Sequence, residues 1–187
     1  MKLFAACSVP PFPMKTSRLT LVLLLALTSF GFARADQAAA SRVEVNFSNP
    51  ENFTDVKDSF QGTTDSRRDA ILDEIKDYIV RRASARLPEG QRLSVTITDI
   101  DLAGDFEPWR GPSSQDVRVI KDIYTPKIDL SFTLTDASGK VVSEGNRKLR
   151  DLSFNMKTTT SNRNDPRVYE KALIDDWLRD DLPRAKR

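Results

Sequence analysis

Val43, Val45 and Phe47 alternate with Glu44 and Asn46. A period of two turns successive side chains to opposite faces, so this segment predicts a half-buried strand, ended by Asn49-Pro50. Residues 51–64 are turn-like in composition, with Phe53, Val56 and Phe60 expected to fold back onto the core. Asp65-Ser66, followed by Asp69, then reads as a helix cap. Ile71, Leu72, Ile75, Tyr78, Ile79, Ala83 and Leu87 keep one face of that helix apolar at steps of three and four. The opposite face carries Arg67, Arg68, Glu74, Lys76, Asp77 and Arg81, mixed in sign as a solvated helix face is, and Pro88 and Gly90 stop the helix.

Leu93, Val95 and Ile97 restore the period of two, which slips phase at Asp99 to Ile100 and Leu102 and predicts either a bulge or the end of the strand near Asp99. The segment 104–115 holds Gly104, Gly111, Pro108 and Pro112 together with Phe106 and Trp109. That is too many turn formers for a regular element and too many aromatics for a plain linker. Val117–Tyr124 predicts a third strand, and Ile128, Leu130, Phe132 and Leu134 a fourth. Asp136-Ala137-Ser138-Gly139 predicts a hairpin turn, after which Val141–Leu149 runs back as a fifth strand, with Leu152–Phe154 as a kinked continuation. Residues 156–164 are polar and without period. Asp165-Pro166 then supplies an Asp cap and an N1 proline for a last helix, with Tyr169, Leu173 and Trp177 at steps of four and a stop at Pro183.

The expected order is β-α-β-β-β-β-α, an α+β fold. Short connections make strands three to five an antiparallel meander within a single, mainly antiparallel sheet of about five strands, and both amphipathic helices cover one of its faces. The helical crossover allows strands one and two to be parallel.

Charge changes this picture at the N-terminus. The first 35 residues contain Lys2, Lys15, Arg18 and Arg34 and no acid; subtracting these four from 29 basic residues leaves 25 against 27 acidic, so Asp36–Arg187 carries a formal charge of −2. A domain of that balance has no electrostatic footprint for nucleic acid. Lys15 and Arg18 precede the apolar run Leu19–Phe32, and Ala33-Arg34-Ala35 offers small residues before Asp36. This is the pattern of a secretory signal cleaved after Ala35, with Met14 as the expected start of translation. The run falls short of the ~20 apolar residues a membrane-spanning helix needs, so no span is expected once the signal is removed. Residues 36–187 are expected to form one globular domain, long enough to bury a core without disulfides. The chain has one cysteine, Cys7, which precedes that start, so the mature protein is expected to have no disulfide and no thiolate chemistry.

The chain contains no histidine, which removes Ser-His-Asp and Cys-His arrangements and zinc sites of ordinary type. The densest acidic group is Asp99, Asp101, Asp105 and Glu107. Its spacing approaches a calcium loop, but the fifth position is Ala103 and the twelfth is Arg110, where a bidentate Glu belongs. No metal or cofactor is therefore expected. In the 104–115 loop, Phe106, Trp109 and Arg110 are candidate contact residues for a partner, with Asp101 and Asp105 beside them, because Trp and Arg most often dominate binding energy; the other reading of Trp109 is a side chain folded onto the end of the sheet. The cluster Arg147, Lys148 and Arg150 is expected to be split by strand alternation between two faces.

Several of these segments together resemble a known family. They are Leu93–Pro108, Asp116–Ile120, Tyr124-Thr125-Pro126, Gly145 with Leu149-Arg150-Asp151 and Phe154, and Tyr169-Glu170-Lys171 with Trp177. In combination they are similar to the bacterial family called domain of unknown function 3016, over roughly residues 43–180. The resemblance implies a small exported bacterial protein with a periplasmic address and assigns no catalytic residue. The expected function is a non-enzymatic binding or envelope-interaction module that meets an unknown protein or envelope component through the 104–115 loop. The alternative is a carboxylate-dependent hydrolase or calcium-dependent carbohydrate binder at Asp99, Asp101, Asp105 and Glu107. The two differ in whether those carboxylates converge on a point or fan out along a strand.

Overall fold

The computed structural model describes residues 42–156 and 164–182. The expected signal 1–35, residues 36–41, most of the polar tract 156–164 and the expected stop at Pro183 lie outside the described residues. The elements are β1 (Val43–Phe47), α1 (Asp65–Ser84), β2 (Arg92–Asp101), β3 (Asp105–Phe106), β4 (Arg118–Val119), β5 (Lys127–Thr135), β6 (Val141–Arg150) and α2 (Val168–Asp181). The main sheet has the order β1-β2-β5-β6. The pair β1/β2 is parallel, Val45 opposite Val95, as the α1 crossover allows. β2/β5 and β5/β6 are antiparallel, so the meander runs through β2, β5 and β6.

One-sided burial explains these strands. Ile128, Leu130, Phe132 and Leu134 are buried while the residues between them are only half-buried, and Leu93, Val95 and Ile97 continue the buried rows on β2. The phase slip is absorbed by a register shift between Ile97 and Asp99, which returns Ile100 to the core face opposite Ile128. Ile71, Leu72, Ile75, Ile79 and Ala83 of α1, with Leu173, Ile174, Trp177 and Leu178 of α2, complete the same core. Both helices thus cover one face. Each fully buried Leu or Ile contributes about 1.5–3 kcal/mol, and Trp177 adds an edge-to-face contact with Phe132 at 5.8 Å.

The expected third strand is not part of this sheet. Only Arg118–Val119 of Val117–Tyr124 is extended, and it pairs with Asp105–Phe106 in a separate two-stranded ribbon. The reason is legible afterwards: Val117, Ile120 and Ile123 recur every three residues, a spacing that cannot place them on one face of a strand, and all three are exposed. The chain instead turns at 121–124, Tyr124 N–H donating to the Lys121 carbonyl at 2.9 Å. Leu152–Phe154 likewise forms a turn, with Phe154 buried edge-on against Tyr169 at 4.8 Å.

Both helix starts differ from expectation by a residue or more. Thr64, not Asp65-Ser66, caps α1 by accepting from Arg67 N–H, while Asp65 pairs with Arg68 at 2.9 Å. α2 begins at Val168, beyond Pro166, and has no side-chain cap. The Asp165 carboxylate holds Arg167 N–H at 2.9 Å and Lys171 Nζ at 2.7 Å instead.

Candidate functional site

The chain that leaves β2 runs through the interior: Leu102, Ala103, Gly104, Phe106 and Glu107 are all buried. Gly104 is required here. Its φ is +80°, and a Cβ would stand 2.7 Å from Ile120 Cδ1 and 2.8 Å from the Val119 carbonyl oxygen, where β4 crosses. Arg118 of β4 then ties three segments together. Its Nη1 donates to Asp55 Oδ2 at 2.9 Å and to the Gly104 carbonyl at 2.8 Å, and its Nη2 to the Lys57 carbonyl at 2.8 Å. The guanidinium also lies 4.7 Å from the centre of the Phe106 ring. A planar fork with five donors makes such a junction where a lysine cannot.

Glu107 is the second junction. Its carboxyl, 1% exposed, accepts from Arg110 Nε at 2.7 Å, from the Tyr124 hydroxyl at 3.1 Å and from Lys121 Nζ. The Lys121 ammonium, ahead of the guanidinium of Arg110 and the hydroxyl of Tyr124, holds the carboxyl below the usual glutamate range against the opposing effect of burial. Burial and then Glu107 push the Tyr124 hydroxyl up. Pro108–Arg110 is a 3-10 turn, closed by Arg110 N–H to the Glu107 carbonyl at 3.1 Å. Trp109 is therefore held at the tip of a turn bonded at both ends.

The 121–124 turn, gripped by the same carboxylate, carries Ile123. Asn155 Nδ2 donates to Asp122 Oδ1 at 3.2 Å and so brings up the 152–156 turn with Leu152 and Met156. Trp109 is 72% exposed, Ile123 74%, Leu152 80% and Met156 81%. Three turns joined by side-chain bonds thus present four large apolar side chains to solvent.

The residues singled out in the sequence fall in different places. Trp109 is exposed and Arg110 is half-exposed and paired with Glu107. Phe106 is buried beneath Arg118 and offers no surface, a correction caused by the inward face of the β3/β4 ribbon. Asp101 pairs with Lys127 at 2.7 Å, and Asp105 accepts Phe106 N–H at 2.7 Å. Asp99 takes the Thr54 N–H and hydroxyl, each at 2.7 Å. The four carboxylates fan out to separate partners, and among the described residues no group of three His, Cys, Asp or Glu side chains is placed to hold a metal ion. Asp101 and Asp105 do share a polar cleft of about 300 Å³ with Thr54, Asp55, Tyr124 and Lys127. The basic cluster divides as alternation requires: Lys148 and Arg150 are exposed, while Arg147 lies over the Phe132 ring at 5.2 Å and pairs with Asp181 at 2.7 Å.

The Arg118 and Asp55 junction and the apolar turn residues Ile123, Leu152 and Met156 were not anticipated. The signal for Ile123 was present in the three-residue recurrence from Val117. Arg118 and Asp55 lie 63 positions apart and leave no local trace.

The fold and these turns define a mainly antiparallel α+β protein with large apolar side chains exposed on turns joined by side-chain bonds. The model of the family described as Protein of unknown function (DUF3016) matches residues 41–180, and the chain belongs to that family. No curated protein and no solved structure matches it.

Proposed function

We propose that this protein is an exported, non-enzymatic binding module that works in the periplasm and meets a protein or other envelope component through the turn surface headed by Trp109. The observation that carries the reading is the 72% exposure of Trp109 on a turn whose two ends are bonded through the buried Glu107. Ordering a loop side chain on binding costs about 0.5–1.5 kcal/mol, and a turn already fixed by its own bonds avoids most of that cost. Trp and Arg are among the side chains that most often dominate the energy of an interface. Ile123, Leu152 and Met156 are likewise exposed, on turns joined to it through the Glu107 to Tyr124 and Asn155 to Asp122 bonds.

The basic, apolar and small-residue sequence of Lys15–Ala35 supports export with a mature chain starting at Asp36. No helix among the described residues is long and apolar enough to cross a membrane. The dispersal of Asp99, Asp101, Asp105 and Glu107 to separate partners weighs against a carboxylate enzyme or a calcium-dependent binder. Crosslinking of tagged protein in intact cells tests the reading: an adduct expected for the wild type and lost on Trp109→Ala supports it, and an adduct unaffected by that change contradicts it.

A further inference from the structure

Glu170 lies in the first turn of α2, yet its side chain points inward and is 1% exposed. Oε1 accepts the backbone N–H of Ala103 at 2.7 Å. Oε2 is buried with no hydrogen-bond partner. The charged groups that face it are Arg118 from β4 and Arg167 at the start of its own helix. Arg118 is committed to Asp55 and to the carbonyls of Gly104 and Lys57, and Arg167 Nε is itself buried without a partner. The neighbouring Lys171 turns away to Glu74 and Asp165, at 2.6 and 2.7 Å. Among the described residues no cation is bonded to the Glu170 carboxyl, which apart from its own backbone N–H holds the segment that carries the Trp109 turn.

We propose that Glu170 is a proton-controlled latch between α2 and the segment 102–107. As a neutral acid its carbonyl oxygen accepts the Ala103 N–H and no charge is buried, so the segment stays docked. As a carboxylate it places an unpaired charge in the core, which is relieved when the segment lifts and water reaches Oε2. Burial, the largest influence on this group, holds the carboxyl above the usual glutamate range. The sign follows: an acid whose folded-state value is raised favours the docked state most at low pH and loses that contribution as pH rises through the folded value. In a compartment exposed to external pH, the turn presenting Trp109 would be firmest in weak acid, above the range in which Glu107 is protonated, and loosened toward alkali. This last consequence rests on the proposed binding function; the latch itself does not.

Hydrogen exchange at the amides of 102–107, corrected for intrinsic exchange, tests the latch without any partner. For the wild-type protein the expected protection falls by about tenfold or more between about pH 5 and pH 8, equivalent to about 1.4 kcal/mol. In Glu170→Gln, which keeps the acceptor and removes the proton, protection is expected to stay level. Equal pH dependence in both proteins, or none in the wild type, overturns the proposal. Should the Gln variant fail to fold, the carbon-13 titration of the wild-type Glu170 carboxyl decides: a midpoint above the ordinary glutamate range supports the latch, and an ordinary midpoint overturns it. A failed latch leaves the crosslinking result untouched, and a failed crosslink leaves the exchange result untouched.

Discussion

Arg110 reaches back across Trp109 to Glu107, its Nε donating to Oε2 at 2.7 Å. The same carboxyl takes Lys121 and Tyr124 on its other oxygen. One side chain therefore fixes both the turn that carries Trp109 and the turn that carries Ile123. If that is its role, Glu107 should couple surface order to pH. Its carboxyl is held low in the folded protein, so its contribution is present above the ordinary glutamate value and lost as pH falls through the folded value. Melting temperature should therefore drop through the acid range in the wild type, and Glu107→Gln should both lower it at neutral pH and flatten the acid dependence. An unchanged acid profile in Glu107→Gln would show that the loss arises elsewhere.

Arg118→Lys tests the first junction. A lysine retains the charge, but its single nitrogen cannot stand where both Nη1, to Asp55 and Gly104, and Nη2, to Lys57, donate. Leaving buried acceptors without donors costs about 1–3 kcal/mol, to be read from denaturant midpoints with the slope unchanged. A variant as stable as wild type would mean that the junction is redundant.

Gly104 and Gly111 form a contrast within one loop. Both have positive φ, +80° and +101°, but a Cβ at Gly104 meets Ile120 and the Val119 carbonyl oxygen within 3 Å, whereas nothing lies within 4 Å of one at Gly111. Gly104→Ala should cost about 1–3 kcal/mol more than Gly111→Ala, from overpacking added to the backbone strain common to both. Equal losses in thermal unfolding would refute the close approach of β4.

Much of the scaffold could be read from the chain because burial is one-sided there. The alternation at Val43–Phe47, Leu93–Ile97 and Ile128–Leu134 and the three-and-four spacing from Ile71 to Ala83 each report a single face against the core. The slip near Asp99 was visible because a bulge shifts the pattern by one residue. The segment Val117–Tyr124 misled because β-branched residues suggest a strand even where their spacing does not. The candidate surface was half legible. Trp109 stood out by composition, but Glu107 was only one of four acids close in sequence, and its burial depends on Lys121 and Tyr124, 14 and 17 positions away. Phe106 looked like its exposed neighbour Trp109 until the ribbon with Arg118 turned it inward.

The two tryptophans give the most direct test of the central claim. Trp177, 3% exposed against Phe132, should cost about 3–5 kcal/mol when replaced by alanine. Trp109→Ala, at a 72% exposed position, should change stability by no more than about 0.5 kcal/mol. The deciding measurement is the yield of crosslinked partner from intact cells for Trp109→Ala, compared with wild type at matched expression and melting temperature. The account predicts that the adduct is lost while the protein melts as before; an undiminished adduct, or a loss that merely follows unfolding, would contradict it.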